Sequence, residues 1–219
     1  MGPQTRVSNG ERVFLIKWIL ILSFLCLPQS WGELPFWKAK PEVYKKVVEE
    51  HRVIVSVTDH SSDKFHLMKL KGGGQIYAPK DFSFKKLTDF KSIFKTSRYI
   101  KSIEVDEKNK SLFIQAVAYG FSNSMKVDWT ILKDEPAESI LSFHVREGIM
   151  QGFEWKMVLE PAKNNRSEVG VDGVYKYEKF PLPGFFLQFG LELIFQNMAI
   201  DLRTQVEESF SESTKKKGA

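Results

Sequence analysis

Hydrophobic and polar side chains alternate along several stretches in the second half of the chain. Two stretches show this most clearly, with Met125, Val127, Trp129 and Ile131 on one face of the first and Phe153, Trp155, Met157 and Leu159 on one face of the second. Charged residues occupy most of the positions between them. Because successive side chains of a β-strand point to opposite faces of the sheet, both stretches predict strands with one apolar and one solvated face.

Further strand-like patterns follow at short intervals. They cover residues 53–58, 65–77, 100–105, 112–121, 125–132, 139–145, 149–159 and 168–177. Short polar turns separate most of them, and such connections join antiparallel strands, since parallel strands need long crossovers. We therefore expect a curved antiparallel sheet of six to seven strands, preceded by the strand at 53–58 in an N-terminal extension.

Three consecutive glycines, Gly72-Gly73-Gly74, interrupt the second strand pattern. Glycine inside a strand pattern often marks a bulge. We expect a β-bulge or a mobile stretch at this point. A phosphate-binding loop is disfavoured, because no Lys-Ser/Thr pair and no amphipathic helix follow at the required distance.

A helical periodicity appears in two places. After Pro79, Phe82, Leu87 and Phe90 recur at near-helical spacing and predict two short helices. From Gly184 to about residue 209, apolar residues recur every three or four positions and predict one long amphipathic helix. Its apolar stripe consists of Leu187, Leu191, Ile194, Phe195, Met198, Leu202 and Val206. This helix is the candidate cover for the apolar face of the sheet, which makes the fold class α+β.

The first 32 residues have the pattern of a secretory signal peptide. Arg6, Arg12 and Lys17 form a basic segment, and an uninterrupted apolar run follows at residues 18–27. That run is much shorter than the ~20 residues a bilayer-spanning helix needs. We therefore expect export to the periplasm or secretion, with an uncleaved N-terminal membrane anchor as the alternative.

Small residues mark the expected cleavage site. Ser30 and Gly32 occupy the positions that a signal peptidase inspects, so we expect the mature chain to begin at Glu33, which N-terminal sequencing of the exported protein would check. A start at Met1 would contradict it. Cys26 is not preceded directly by the small residue that lipoprotein processing requires.

Removal of this segment changes the composition of the mature chain. The segment contains three basic residues, one acidic residue and the only cysteine, so the net charge falls from +5 to +3. Basic residues are interspersed with acidic ones except at residues 215–217, which gives a nucleic-acid interface little support. Without cysteines, stability must come from an apolar core. We divide the chain into a signal peptide (1–32), an N-terminal extension with a short helix and a strand (33–64), a main domain (65–210) and a polar tail (211–219).

The segment from Ala78 to Phe94 resembles the opening of a known superfamily. A helix start containing Pro79 leads to a leucine, threonine, aspartate and aromatic helix end at residues 87–90, and a second short helix follows. Together with the order strand, two short helices, six antiparallel strands and a long C-terminal helix, this resembles the START-like, or SRPBCC, helix-grip superfamily, particularly its polyketide cyclase-like and coenzyme Q-binding protein-like members.

The resemblance implies a cavity between the sheet and the C-terminal helix that receives a lipid, sterol or isoprenoid quinone. Aromatic and methionine side chains suit such a site, because methionine fills irregular gaps around variable ligands. The candidate ligand-binding residues are Met125, Val127, Trp129, Phe143, Phe153, Trp155, Met157, Leu187, Leu191, Ile194 and Met198. At the start of the helix, Phe185, Phe186 and Phe189 are candidates for a lip that contacts a membrane transiently.

Catalytic and metal-binding patterns are weak. His51, His60 and His66 lack paired ligand spacing, and His144 shares the solvated strand face with Ser142 and Arg146. We predict no catalytic residue, no metal site and no cofactor. The resulting hypothesis is an exported binding or carrier protein for a hydrophobic small molecule. The alternatives are a cyclase- or hydrolase-like enzyme using the same cavity, and a non-enzymatic interaction domain with a solid core. The oligomeric state stays open.

Overall fold

The computed structural model describes residues 35–62, 64–95, 97–118, 120–178 and 184–217. The predicted signal peptide and its cleavage site lie outside these residues. The helices are α1 (Pro41–Val48), α2 (Lys80–Leu87), α3 (Phe90–Ile93) and α4 (Gly184–Lys217). The strands are β1 (Ile54–Ser61), β2 (His66–Ile76), β3 (Ile100–Asp106), β4 (Ser111–Ala118), β5 (Phe121–Asp134), β6 (Ser139–Gly148), β7 (Glu154–Ala162) and β8 (Arg166–Tyr177).

The eight strands form one curved antiparallel sheet that does not close. Its strand order is β1-β2-β8-β7-β6-β5-β4-β3, so the chain crosses from β2 to the far edge through α2 and α3 and then meanders back. The α+β class and the curved antiparallel sheet with a long C-terminal helix are confirmed. The sheet has eight strands rather than six to seven, because the strand of the N-terminal extension pairs with β2 along its whole length.

The glycine triplet does not form a bulge or an interruption. β2 runs continuously through it, and the pairing of β2 with β8 keeps its register across all three glycines. The expected bulge was wrong for a physical reason, since the glycines make or leave room on the two faces of a regular strand and do not distort it. Gly73 faces the outer side of the sheet, whereas Gly72 and Gly74 face inward.

Two element boundaries differ from the sequence-based expectation. The strand expected from residue 149 begins only at Glu154, because Gly148 and Gly152 adopt positive φ angles of 112° and 88° and a turn occupies the residues between them. Glycine tolerates this backbone region without steric cost. The last helix continues to Lys217 instead of ending near residue 209. Phe210 packs edge-on against Phe82 at a ring-centroid distance of 5.1 Å, which gives these last turns a contact with α2.

The core lies between the inner face of the sheet and the helices α2, α3 and α4. Alternation along β6 is regular, since Leu141, Phe143 and Val145 are buried while Ser142 and His144 are partly exposed. Leu112 of β4 and Leu159 of β7 are also fully inside. In the part of the chain that the structure describes, no helix combines the length and hydropathy needed to cross a bilayer.

The N-terminal extension packs against the outer face of the sheet through Trp37. Its indole is only 1% exposed and lies against Gly73, which pairs with Gly170 on the neighbouring strand. A Cβ on Gly73 would come within 2.2 Å of the indole Cδ1. Two glycines side by side therefore provide a flat seat for this ring.

The residue after this tryptophan fixes the extension electrostatically. The Lys38 Nζ donates to Glu168 at 2.7 Å and also binds Glu160, so it bridges β8 and β7. Burial opposes the charged form, but the hydrogen bonds to both carboxylates outweigh it and raise the pKa of Lys38. The lysine therefore remains charged and holds the extension across two strands.

Helix α4 is held along the free edge of β1 by polar side chains. Gln188 donates to the backbone oxygen of Val57 at 2.8 Å, and Glu192 accepts the Val57 N–H at 3.0 Å. One turn later, Gln196 donates to the oxygen of Val53 at 3.4 Å. An uncovered edge strand presents unpaired backbone groups that invite association with other chains. These three side chains satisfy such groups and anchor the helix at the same time.

Candidate functional site

A cavity of about 220 Å³ lies between the inner face of the sheet and the helices. Residues from α2, α3, α4 and every strand except β3 line it, and almost all of their side chains are apolar. For comparison, an engineered cavity of ~150 Å³ lined by Leu, Ile and Phe stays dry and binds benzene. The cavity thus has room for an apolar molecule somewhat larger than one aromatic ring.

Six of the sequence-predicted site residues line this cavity, namely Val127, Phe143, Phe153, Trp155, Met157 and Met198. An aromatic stack forms one wall. The Phe143 and Trp155 rings stack with centroids 4.6 Å apart, and Phe153 stacks on Trp155 at 5.0 Å. Phe195 of α4 approaches Phe153 at 6.1 Å and joins the helix to this wall.

Other predicted site residues lie in the core away from the cavity. Trp129 contacts Phe90 edge-on at 5.0 Å and has the Lys110 ammonium 4.3 Å from its ring centroid. Met125 and Leu191 pack against the core, and Ile194 is partly buried, but none of the three lines the cavity. Leu187 belongs to α4, and its side chain lies outside the described part of the structure.

Two of the glycines supply part of the cavity space. Gly72 and Gly74 line it from β2. An added Cβ on Gly74 would meet only the Val53 Cγ2, at 3.6 Å, and one on Gly72 would first meet the Val171 Cβ at 3.4 Å. Both distances are ordinary van der Waals contacts. The missing side chains, rather than a backbone irregularity, leave the room that the ligand would occupy.

Sequence reasoning missed the contribution of the N-terminal extension to this site. Val53 and Val55, just before and within β1, form part of the wall beside α4. The β-branched pattern that predicted this strand showed its secondary structure but not its neighbours. The glycine triplet was a usable signal, because two glycines spaced by one residue share a face of a strand.

The polar residues of the cavity wall belong to α4 and β2. Arg203 lines the cavity and donates from Nη1 to the backbone oxygen of His51. Its Nε atom is buried and has no hydrogen-bond partner among the described residues. Gln75 of β2 also lines the cavity, and its Oε1 accepts a hydrogen bond from Arg166 at 3.0 Å.

His51 connects this region to the next turn of α4. Its imidazole stacks on Tyr77 with centroids 3.7 Å apart, and its Nε2 lies 3.0 Å from the Glu207 Oε1. Burial, followed by the positive charge of Arg203, lowers the pKa of His51. The imidazole is therefore mainly neutral at pH 7.

A separate polar group lies at the far end of β1, β2 and β8. The carboxylate of Asp59 contacts the His66 Nδ1 at 3.1 Å and accepts a hydrogen bond from the Tyr177 hydroxyl at 3.0 Å. Burial and this carboxylate raise the pKa of Tyr177 to about 12, so the phenol stays protonated. None of the three residues lines the cavity.

A further histidine–carboxylate pair lies on the other side of the sheet. His144 lies 3.1 Å from Glu154 on the partly exposed outer face of the sheet. Within the ranges that the structure describes, no group of three or more histidine, cysteine, aspartate or glutamate residues has a metal-binding arrangement.

The structure describes only one of the three side chains predicted to form the lip. Phe189 is 66% exposed and Leu193, one turn further along α4, is 38% exposed. The side chains of Phe185 and Phe186 lie outside the described part of the structure. The exposed pair forms an apolar surface near the beginning of the helix.

Comparisons with solved structures identify the architecture. The Zhui aromatase/cyclase of a Streptomyces species is similar with a TM-score of 0.56 and 11% identity, over 68% of this chain and 96% of that one. A protein of Thermus thermophilus has a TM-score of 0.52 and 18% identity, over 66% of this chain and 98% of that one. A START superfamily protein of Mycobacterium smegmatis has a TM-score of 0.50 and 13% identity, over 66% and 97%.

No protein-family model matches the chain. No curated protein matches it either. Similarity at these identities concerns the fold. The chain therefore has the START-like helix-grip fold that its sequence resembles.

Proposed function

We propose that this protein binds a small hydrophobic molecule between its sheet and α4, and acts as an exported binding or carrier protein. The observation that carries the proposal is the apolar cavity of about 220 Å³ with its glycine-lined wall. A solid-cored interaction domain would not need inward-facing glycines at both Gly72 and Gly74, because a Cβ fits at each position. Export rests on the sequence pattern of residues 1–32.

The volume narrows the class of ligand. Sites for drug-sized ligands typically measure ~300–1,000 Å³, which is larger than this cavity. A whole sterol or isoprenoid quinone would therefore exceed the cavity as it stands, so that part of it would remain outside or the wall would have to move. A molecule with one or two rings, or a branched chain of similar size, fits the cavity as it stands. Transfer of its apolar surface out of water would drive binding, at ~25 cal/mol per Å².

Extraction of the purified protein tests this proposal. We expect mass spectrometry of an organic extract from gently purified protein to show roughly one apolar molecule per chain, and the same protein after extraction to rebind a neutral naphthalene probe. The aromatic wall beside Trp155 provides the readout, since ligand binding there changes tryptophan fluorescence. An extract without ligand, combined with no binding of the probe, would contradict the proposal.

The exposed part of the lip supports a transient membrane contact during loading. Phe189 is the most exposed large apolar side chain that the structure describes, and Leu193 extends the same surface. Interfacial helices bind membranes through such apolar area. We expect Phe189→Ser to weaken binding to phosphatidylcholine vesicles by about threefold or more in a flotation assay. Phe113→Ser, on an outward position of β4, is the matched control. Equal vesicle binding by wild type and Phe189→Ser would remove the lip from the proposal.

A further inference from the structure

A cationic side chain lies in the mainly apolar wall of the cavity. Among the described residues that line it, Arg203 of α4 carries the only charge, and Gln75 is the only other residue with a polar side chain. Gln75 already accepts a hydrogen bond from Arg166. Arg203 uses Nη1 for the backbone oxygen of His51, whereas its buried Nε–H has no acceptor in the described part of the chain.

The carboxylate nearest along the helix is committed to other partners. Glu207, one turn after Arg203, accepts the Tyr77 backbone N–H at 2.8 Å and contacts the His51 Nε2 at 3.0 Å. None of the carboxylates in the described ranges forms an ion pair with Arg203. A guanidinium beside an apolar space without a carboxylate partner carries a desolvation cost, and a bound anion would offset it.

Among the described neighbours, the arginine is the only cation in this part of the wall. His51 is mainly neutral at pH 7, because burial and then the Arg203 charge lower its pKa. Arg166 is engaged elsewhere, with its Nη1 on Gln75 and its guanidinium carbon 4.0 Å from the centroid of the Tyr77 ring. A ligand with a single negative charge would therefore match the wall better than a doubly charged one.

We propose that the ligand is a small apolar monocarboxylic acid, with its hydrocarbon part in the cavity and its carboxylate on Arg203. This inference rests on the proposed function and names the chemical class of the ligand. The planar guanidinium matches a carboxylate geometrically, and charge-assisted hydrogen bonds of this kind are about twice as strong as neutral ones. With about 220 Å³ available, the hydrocarbon part is an aromatic system of one or two rings or a branched chain of that size.

Two probes with the same ring system test the proposal. 2-Naphthoate carries the carboxylate, and 2-naphthalenemethanol has a neutral hydroxyl in its place. Isothermal titration of the extracted protein at pH 7 is expected to show that naphthoate binds at least tenfold more tightly. Arg203→Met should weaken naphthoate binding by about tenfold to a hundredfold, which is the range for the loss of one charge-assisted hydrogen bond. The same substitution should change the affinity for 2-naphthalenemethanol by less than about threefold.

The matched control is Arg166→Met, which removes the same charge from a residue outside the cavity wall and should leave both affinities within about twofold of wild type. If Arg203→Met does not fold, the comparison of the two probes on wild-type protein still decides the matter. Equal affinities for both probes, or unchanged naphthoate binding by a folded Arg203→Met, would overturn this inference while the proposed function stands. Failure of wild type to bind either probe would overturn both.

Discussion

Replacement of Gly73 by alanine is expected to lower the free energy of unfolding by about 2–4 kcal/mol. The new Cβ would lie 2.2 Å from the Cδ1 of Trp37, far inside contact distance, so the indole must leave its seat or the strand must shift. Overpacking of this kind typically costs ~1–3 kcal/mol, and displacement of a buried tryptophan adds lost burial. Urea denaturation followed by circular dichroism measures the change.

A double-mutant cycle identifies the cause of that loss. Trp37→Ala alone should cost about 3–5 kcal/mol, the usual range for a buried tryptophan. In the Trp37→Ala background, Gly73→Ala should cost almost nothing further, because the group with which the methyl collides is gone. Gly74→Ala, on the inward face of the same strand, is the control and should change stability by less than ~1 kcal/mol. Additive losses in the cycle would show that Trp37 is not the obstacle.

Gly74→Val is expected to abolish ligand retention while the protein stays folded. The valine side chain would enter the cavity from β2, where the only atom near an added Cβ is the Val53 Cγ2 at 3.6 Å. β-branched residues suit strands, so the substitution does not oppose the local structure. We expect the copurifying molecule to be lost from the organic extract and the affinity for 2-naphthalenemethanol to fall at least tenfold.

The matched control for this variant lies on the same strand. Lys69→Val places an identical side chain on the exposed outer face of β2, where it cannot reach the cavity. Ligand content and probe affinity should equal those of wild type. Full ligand occupancy in a folded Gly74→Val protein would mean that the molecule binds somewhere other than this cavity.

The sheet could be predicted because its signal is local. Alternation between apolar and charged residues places Val127 and Trp129 on the inward face of β5, and both are buried there. Which of these two inward-facing residues lines the cavity could not be predicted in the same way. Val127 lines the cavity, whereas Trp129 is held two residues further on by Phe90 and Lys110, which are distant in sequence.

The expectations that failed depended on contacts between distant segments. Gly73 was expected to lie in a bulge. No local pattern indicates that Trp37, 36 residues earlier in the chain, covers it. The apolar stripe of α4 was recognised from the sequence. The hydrogen bonds of Gln188, Glu192 and Gln196 with the backbone at the edge of β1 were not. Periodicity shows which residues share a face, and only the three-dimensional arrangement shows what that face meets.

The bonds between α4 and the edge of β1 also set an order in time. They join positions 131 to 152 residues apart, from Gln188 with Val57 to Arg203 with His51. Long-range contacts of this kind form late and lower the folding rate, because a long loop must be closed first. The outer edge of β1 therefore stays uncovered until α4 packs against it. If the cavity binds a ligand as proposed, its wall is complete only after β1 and α4 have come together.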